Sequence, residues 1–126
     1  MNQLLDTTVF VDYYRKAPRA QQFLQNETAL LCSVITAAEL IRGSRNKNEQ
    51  RNVEKLLSKI ELVPLNTQIG TIMLELMKKY YLSHGLQIPD ALIAATAIEE
   101  ALTLVTSNVK HFSFIKGLKL EDWSRL

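Results

Sequence analysis

Cysteine occurs once in the 126 residues, as Cys32, which excludes an internal disulfide and a cysteine-based zinc site. Glycine is scarce. Gly43, Gly70, Gly85 and Gly117 stand too far apart for a G-x-G-x-x-G loop, so that dinucleotide-binding fingerprint is excluded. The two histidines, His84 and His111, share no i, i+4 spacing and no cysteine partner, and are read as loop residues rather than zinc ligands. No apolar run approaches the roughly 18 residues that span a bilayer, so no membrane segment is expected. Neither sign of charge prevails: 15 bases against 13 acids leave +2, too little to imply a polyanionic partner by itself. The N-terminus lacks a basic stretch leading into a long apolar core, so no secretory signal is expected and the expected setting is cytoplasmic.

What is present is 47% apolar residue content over a length that suits one domain, residues 1–126, with a core that needs no staples. Short apolar runs alternate with segments of helical period. The strand-like runs are 2–5, 29–34 (ALLCSV), 61–65 (ELVPL), 102–106 (LTLVT) and a final LKLED. Pro64 confines the third to an edge or an end. Helices are expected from Val9 to about Lys16, over 18–26, from a Thr36 cap to Gly43, over 47–60, over 67–83, and from Asp90 onward. In the fourth, Val53, Leu56, Leu57 and Ile60 form the inward stripe. In the fifth, Ile69, Ile72, Met73, Leu76 and Tyr80 do so.

The alternation predicts an α/β fold, a central and mostly parallel sheet flanked by helices on both faces. Ligand sites in such sheets lie beyond the carboxyl ends of the strands. That edge gathers Asp6, the 33–39 segment and the 106–108 turn. Three carboxylates need explaining: Asp6 after the first strand in LLDTTVFVD, Glu39 in the apolar TAAELI after the second, and Asp90 in IPDALIAA at the start of an apolar helix. A buried unpaired charge is expensive. Acids converging on a crevice, with no histidine or cysteine cluster, suit a hard cation bound through oxygen, Mg²⁺ or Mn²⁺. Such a cation polarises a phosphoryl oxygen and acidifies water, so phosphodiester hydrolysis is the chemistry these parts serve.

The stretches LLDTTVFVD, TAAELIRG, IPDALIAATAIE and LVTSNVKHF, in this order and spacing, resemble the four motifs of the PIN-domain family. They are similar above all to its small bacterial VapC-like ribonuclease toxins, over essentially the whole chain. The resemblance implies a PIN-like fold and a Mg²⁺-dependent endoribonuclease, with Mn²⁺ as a substitute. Its substrate would be structured tRNA or rRNA, cut by activated water to leave 5′-phosphate and 3′-hydroxyl ends. It makes Asp6, Glu39 and Asp90 the catalytic, metal-binding acids and places Asn108 at the fourth motif position. Many relatives have an aspartate at or near that point, and the neutral amide here leaves one or two cations open. Thr8, Thr106 and Arg42 complete the set as substrate-binding groups. Thr8 would bond Asp6 or phosphate, and Arg42 would pair with Glu39 or reach phosphate. The partners implied are RNA, a second copy of the chain in a homodimer, and a small cognate antitoxin whose C-terminal segment lies across the toxin near its active site. Phe10, Tyr13 and Tyr14 are candidates for its docking groove, with ordinary core as the other reading.

Each feature has a plainer reading. Asp90 beside Pro89 would serve as a helix cap, and Glu39 as the capping-box partner of Thr36. The six bases between Arg42 and Lys59 would form a solvated helix face. Asp12 is read as solvent-facing, Cys32 as a small buried hydrophobe, and Trp123 as packing the C-terminal segment onto the domain. Two other functions compete. One is a haloacid-dehalogenase-like phosphatase with Asp6 as nucleophile, weakened by Thr8 where a second aspartate is usual. The other is a catalytically silent RNA- or protein-binding module, supported by the missing fourth acid.

Overall fold

A computed structural model of the chain describes residues 2–26 and 30–126. Five short strands form one sheet: β1 (Gln3–Leu5), β2 (Leu30–Ser33), β3 (Glu61–Val63), β4 (Thr103–Thr106) and β5 (Lys119–Asp122). Their order is β3-β2-β1-β4-β5, and every pairing is parallel. The sheet expected to be mostly parallel is therefore parallel throughout the described residues. Ala29, expected to open the second strand, lies outside them.

The strand period of two sends neighbouring side chains to opposite faces. Leu4 and Leu104 face one side and Leu5 and Val105 the other, all without solvent exposure. Against Leu4 pack α5 (Thr67–His84) and α6 (Ile88–Glu99), through Ile69, Leu76, Tyr80 and Ile93. Against Leu5 pack α1 (Thr7–Tyr14), α2 (Pro18–Asn26) and α4 (Lys47–Leu57), through Val9, Phe10, Ala20, Val53 and Leu56. The remaining helix, α3 (Val34–Arg42), sends Ile35 to the first core and Ala37 and Leu40 to the second. Both faces are thus covered, as a parallel sheet requires.

Several element ends differ from the sequence reading, each for a local reason. The cap of α3 is Ser33, whose Oγ accepts from the Ile35 N–H at 3.1 Å. Thr36 lies inside the helix, fully buried, and its hydroxyl has no partner. At α6 the helix begins at Ile88, not Asp90, because Pro89 is tolerated in a first turn that needs no N–H there. Asp90 is the third helical residue. At α1 the helix starts at Thr7, directly after Asp6. Asp12 is not solvent-facing: its Oδ2 accepts from the Trp123 indole N–H at 2.7 Å. That bond, with Phe23 edge-on to the ring at 5.0 Å and Arg19 above it at 4.2 Å, fastens the C-terminal segment as expected.

The chain leaves β1 for β2 on one side, and α6 feeds β4 on the other. The sheet's topological switch therefore lies between β1 and β4, with a crevice beyond their carboxyl ends.

Candidate active site

Asp6 is the residue after β1, and its backbone N–H extends the ladder to the Val105 carbonyl at 3.0 Å. It occupies the N-cap position of α1, where aspartate normally accepts from the first turn, yet its side chain makes no cap bond. The carboxylate turns into the crevice instead and is only 5% exposed. Oδ2 accepts from the Thr106 hydroxyl at 2.7 Å and, at a longer 3.4 Å, from the Thr8 hydroxyl. Both hydroxyls are held from behind by the turn after β4. Thr106 Oγ1 accepts from the Asn108 N–H, and Thr8 Oγ1 from the Ser107 N–H, each at 3.0 Å. The two threonines expected at substrate thus spend their hydroxyl hydrogens on Asp6.

Glu39 sits in the second turn of α3, half-buried, and Oε1 accepts from the Thr7 hydroxyl at 3.1 Å. This replaces the capping-box role, because Ser33 caps the helix. Asp90, in the first turn of α6, faces the same crevice, with Oδ2 3.4 Å from His111 Nδ1. Its pKa is raised above the usual 3.8, first by desolvation, then by the charge of Asp6, and to a smaller extent by Glu39; His111 acts in the opposite direction. Two separate acids therefore reach Asp90 electrostatically, and the three carboxylates share one field.

Other residues depart from the expected set. Arg42 is exposed at the end of α3 and makes no ion pair with Glu39 among the described residues. The Asn108 side chain makes no cap bond, and its backbone N–H is what engages the site. Thr7 and His111 touch the acids without having been singled out for it. Thr7 directly follows Asp6, and His111 lies three residues after Asn108 in the same turn. Phe10 is core, without solvent exposure, and lines no groove. Tyr14 does line one, a groove of about 930 Å³ between α1, α3 and α4 that starts at Thr7 and Glu39 and runs past Val11, Leu40 and Val53. Tyr13 lines a smaller one of about 360 Å³. Cys32 is buried as expected, and burial pushes its thiol up to about 12. His84 closes α5 and stacks on Phe114 at 4.2 Å, away from any acid. In the basic stretch, the ion pair formed is Arg45–Glu49 at 2.9 Å, on the helix surface.

The donor set fits a divalent cation by its chemistry. It is all oxygen, it is partly desolvated, and the charges of Asp6 and Glu39 disfavour ionisation of Asp90, a repulsion that a cation relieves. In the arrangement described, no group of three histidine, cysteine, aspartate or glutamate side chains among the described residues closes on a single ion position. Glu39 is bonded to Thr7 at 3.1 Å, so closing the set around one ion requires its side chain to rotate.

A PIN domain family model matches residues 4–116. Ribonuclease VapC10 of Mycobacterium tuberculosis is 35% identical over 120 residues, covering 92% of this chain and 90% of that protein. The tRNA(fMet)-specific endonuclease VapC of Salmonella typhimurium is 31% identical, over 95% of this chain and 96% of its own. Among solved structures, VapBC2 from Rickettsia felis, bound to a DNA fragment from its promoter, superposes with a TM-score of 0.78 at 31% identity, covering 98% of this chain and 99% of that one. With a family model matched over residues 4–116 and relatives above 30% identity over nearly its whole length, the chain belongs to the PIN domain family.

Proposed function

We propose that this chain is an endoribonuclease, the toxin of a toxin–antitoxin pair, whose crevice holds a divalent cation through Asp6, Glu39 and Asp90. The observation that carries the reading is a buried aspartate that declines its helix-capping role and joins two other carboxylates at the sheet's switch point. The ribonuclease names of the relatives support it. Hard oxygen donors favour Mg²⁺, with Mn²⁺ as a substitute. When bound, the ion supplies charge neutralisation at a phosphoryl oxygen and acidifies water for in-line attack.

The chain's own residues supply position. Thr106 and Thr8 fix Asp6, and the backbone of Ser107 and Asn108 fixes the threonines. Thr7 orients Glu39, which would be one of the groups holding the ion. Arg42, exposed at the rim, meets substrate phosphate. The substrate we propose is structured tRNA, in line with the tRNA(fMet)-specific name of one relative, with rRNA as the competing outcome. The antitoxin's C-terminal segment seats in the groove lined by Val11, Tyr14, Leu40 and Val53, whose inner end is Glu39. A homodimer and a cytoplasmic setting belong to the same proposal.

The test is cleavage of total RNA by purified protein with Mg²⁺, with EDTA, and in Asp6→Asn. Cleavage is expected with Mg²⁺ alone, leaving 5′-phosphate and 3′-hydroxyl ends, and Asp6→Asn should be at least about 100-fold slower. Undiminished cleavage by the variant, or 2′,3′-cyclic phosphate ends, rejects the mechanism. The neutral Asn108 favours one other reading, a silent binding module, which predicts neither cleavage nor Mn²⁺ binding by calorimetry.

A further inference from the structure

In the turn after β4, the side chain in contact with an acid among the described residues is that of His111, whereas Asn108 engages the site through its backbone N–H. The 3-10 turn Val109–His111 is closed by the His111 N–H on the Asn108 carbonyl at 3.0 Å. Phe112, 1% exposed, anchors the next residue in the core. His111 is therefore held from both sides, although its ring edge is open to solvent. Opposite it, Asp90 is fixed by the first turn of α6. Between them, Nδ1 of His111 lies 3.4 Å from Oδ2 of Asp90. Carboxylates that ligate metal are themselves hydrogen-bonded by outer partners, and loss of such a partner costs about 10–100-fold in affinity.

We propose that His111 is a positioning residue of this site: its Nδ1–H holds Oδ2 of Asp90, so that the other carboxylate oxygen is presented to a divalent cation shared with Asp6 and Glu39. The proposal rests on the cation-site reading above and assigns the fourth motif's side-chain contribution to an imidazole rather than an amide or an acid. The imidazole adds no negative charge to a crevice that already holds three acids. It fixes the orientation of the one acid that neither Thr7, Thr8 nor Thr106 touches.

The side chains of asparagine and glutamine separate this role from bulk or charge. An asparagine amide places its nitrogen near the position of Nδ1, whereas a glutamine amide reaches toward that of Nε2. Mn²⁺ titration followed by electron paramagnetic resonance of the free ion reads affinity without RNA. His111→Ala should weaken Mn²⁺ binding by about 10–100-fold, His111→Asn should restore most of it, and His111→Gln should not. Lys110→Ala, in the same turn, should leave the affinity unchanged, and the metal-free thermal midpoints should agree within a few degrees. Equal affinity in the parent and His111→Ala overturns the proposal while leaving the nuclease reading intact. Loss in His111→Ala that asparagine fails to restore overturns the Nδ1 assignment. A parent that binds no Mn²⁺ overturns the cation site itself.

Discussion

Asp90 shows which of two opposed effects governs a single carboxyl. It lies in the first turn of α6, where the helix N-terminus favours an anion by about 0.3–1 kcal/mol. Its pKa is nevertheless raised, by desolvation first and then by the charge of Asp6, so the crevice outweighs the helix. The sign of the consequence follows. The folded carboxyl keeps its proton at pH values where the unfolded one, near 3.8, has lost it. Stability is therefore gained as pH falls from the folded pKa toward 3.8 and lost as pH rises through that window. In EDTA, urea denaturation across the window should show the parent weakening with rising pH, and Asp90→Asn showing a flatter dependence and a higher midpoint above it. An unchanged slope in the variant assigns the effect to another group. At this scale Asp6, Glu39 and Asp90 were legible because a carboxylate inside an apolar run is an anomaly that chemistry must explain. Thr7 and His111 were not, because a hydroxyl or an imidazole in a turn acquires its role only from what the fold sets beside it.

The elements were legible where periodicity is long and breakers are sharp. The apolar stripe of α5, with Ile69, Leu76 and Tyr80 buried, ends at Gly85, whose φ of 67° is the left-handed conformation that a side chain resists. They were less legible where two capping residues compete. In CSVITAAEL both Ser33 and Thr36 are good caps, and Ser33 takes the role because β2 ends there and α3 begins at the next residue. Its Oγ satisfies an N–H in a fully buried spot, whereas Asn46, which caps α4 through the Glu49 N–H at 2.9 Å, is exposed. Water replaces a lost partner at the second site and not at the first. Ser33→Ala should therefore cost about 1–3 kcal/mol, and Asn46→Ala about 0.5–1 kcal/mol. Urea midpoints of the two variants check the order. Equal losses would mean that the Ser33 site rehydrates. Because α3 carries Glu39, Ser33→Ala should also lower cleavage, whereas Asn46→Ala should not.

At the scale of the whole molecule, the alternation of strands and helices sufficed to set Asp6 and the 33–39 segment at one edge of the sheet, whereas the place of Asp90 and the strand order needed the structure. Residues 6, 39 and 90 lie on three different segments and share one field only in the folded sheet, where β1 pairs with both β2 and β4. Unfolding scatters them, so a divalent cation held by the proposed site would stabilise the folded state by RT ln(1 + [L]/Kd), about 2.7 kcal/mol at one hundred times Kd. At this chain length about 1 kcal/mol moves the thermal midpoint by about 3–4 °C, so saturating Mn²⁺ should raise it by about 8–10 °C. Asp6→Asn should remove most of that rise. A variant at the far end of α1 provides the contrast. Asp12→Ala strands the indole N–H of buried Trp123, which costs about 1–3 kcal/mol without touching the crevice. It should lower the midpoint with and without Mn²⁺ and leave the Mn²⁺-dependent rise unchanged. If instead Asp6→Asn retains the full rise, the cation binds elsewhere on the chain, and the three carboxylates are held together for another purpose.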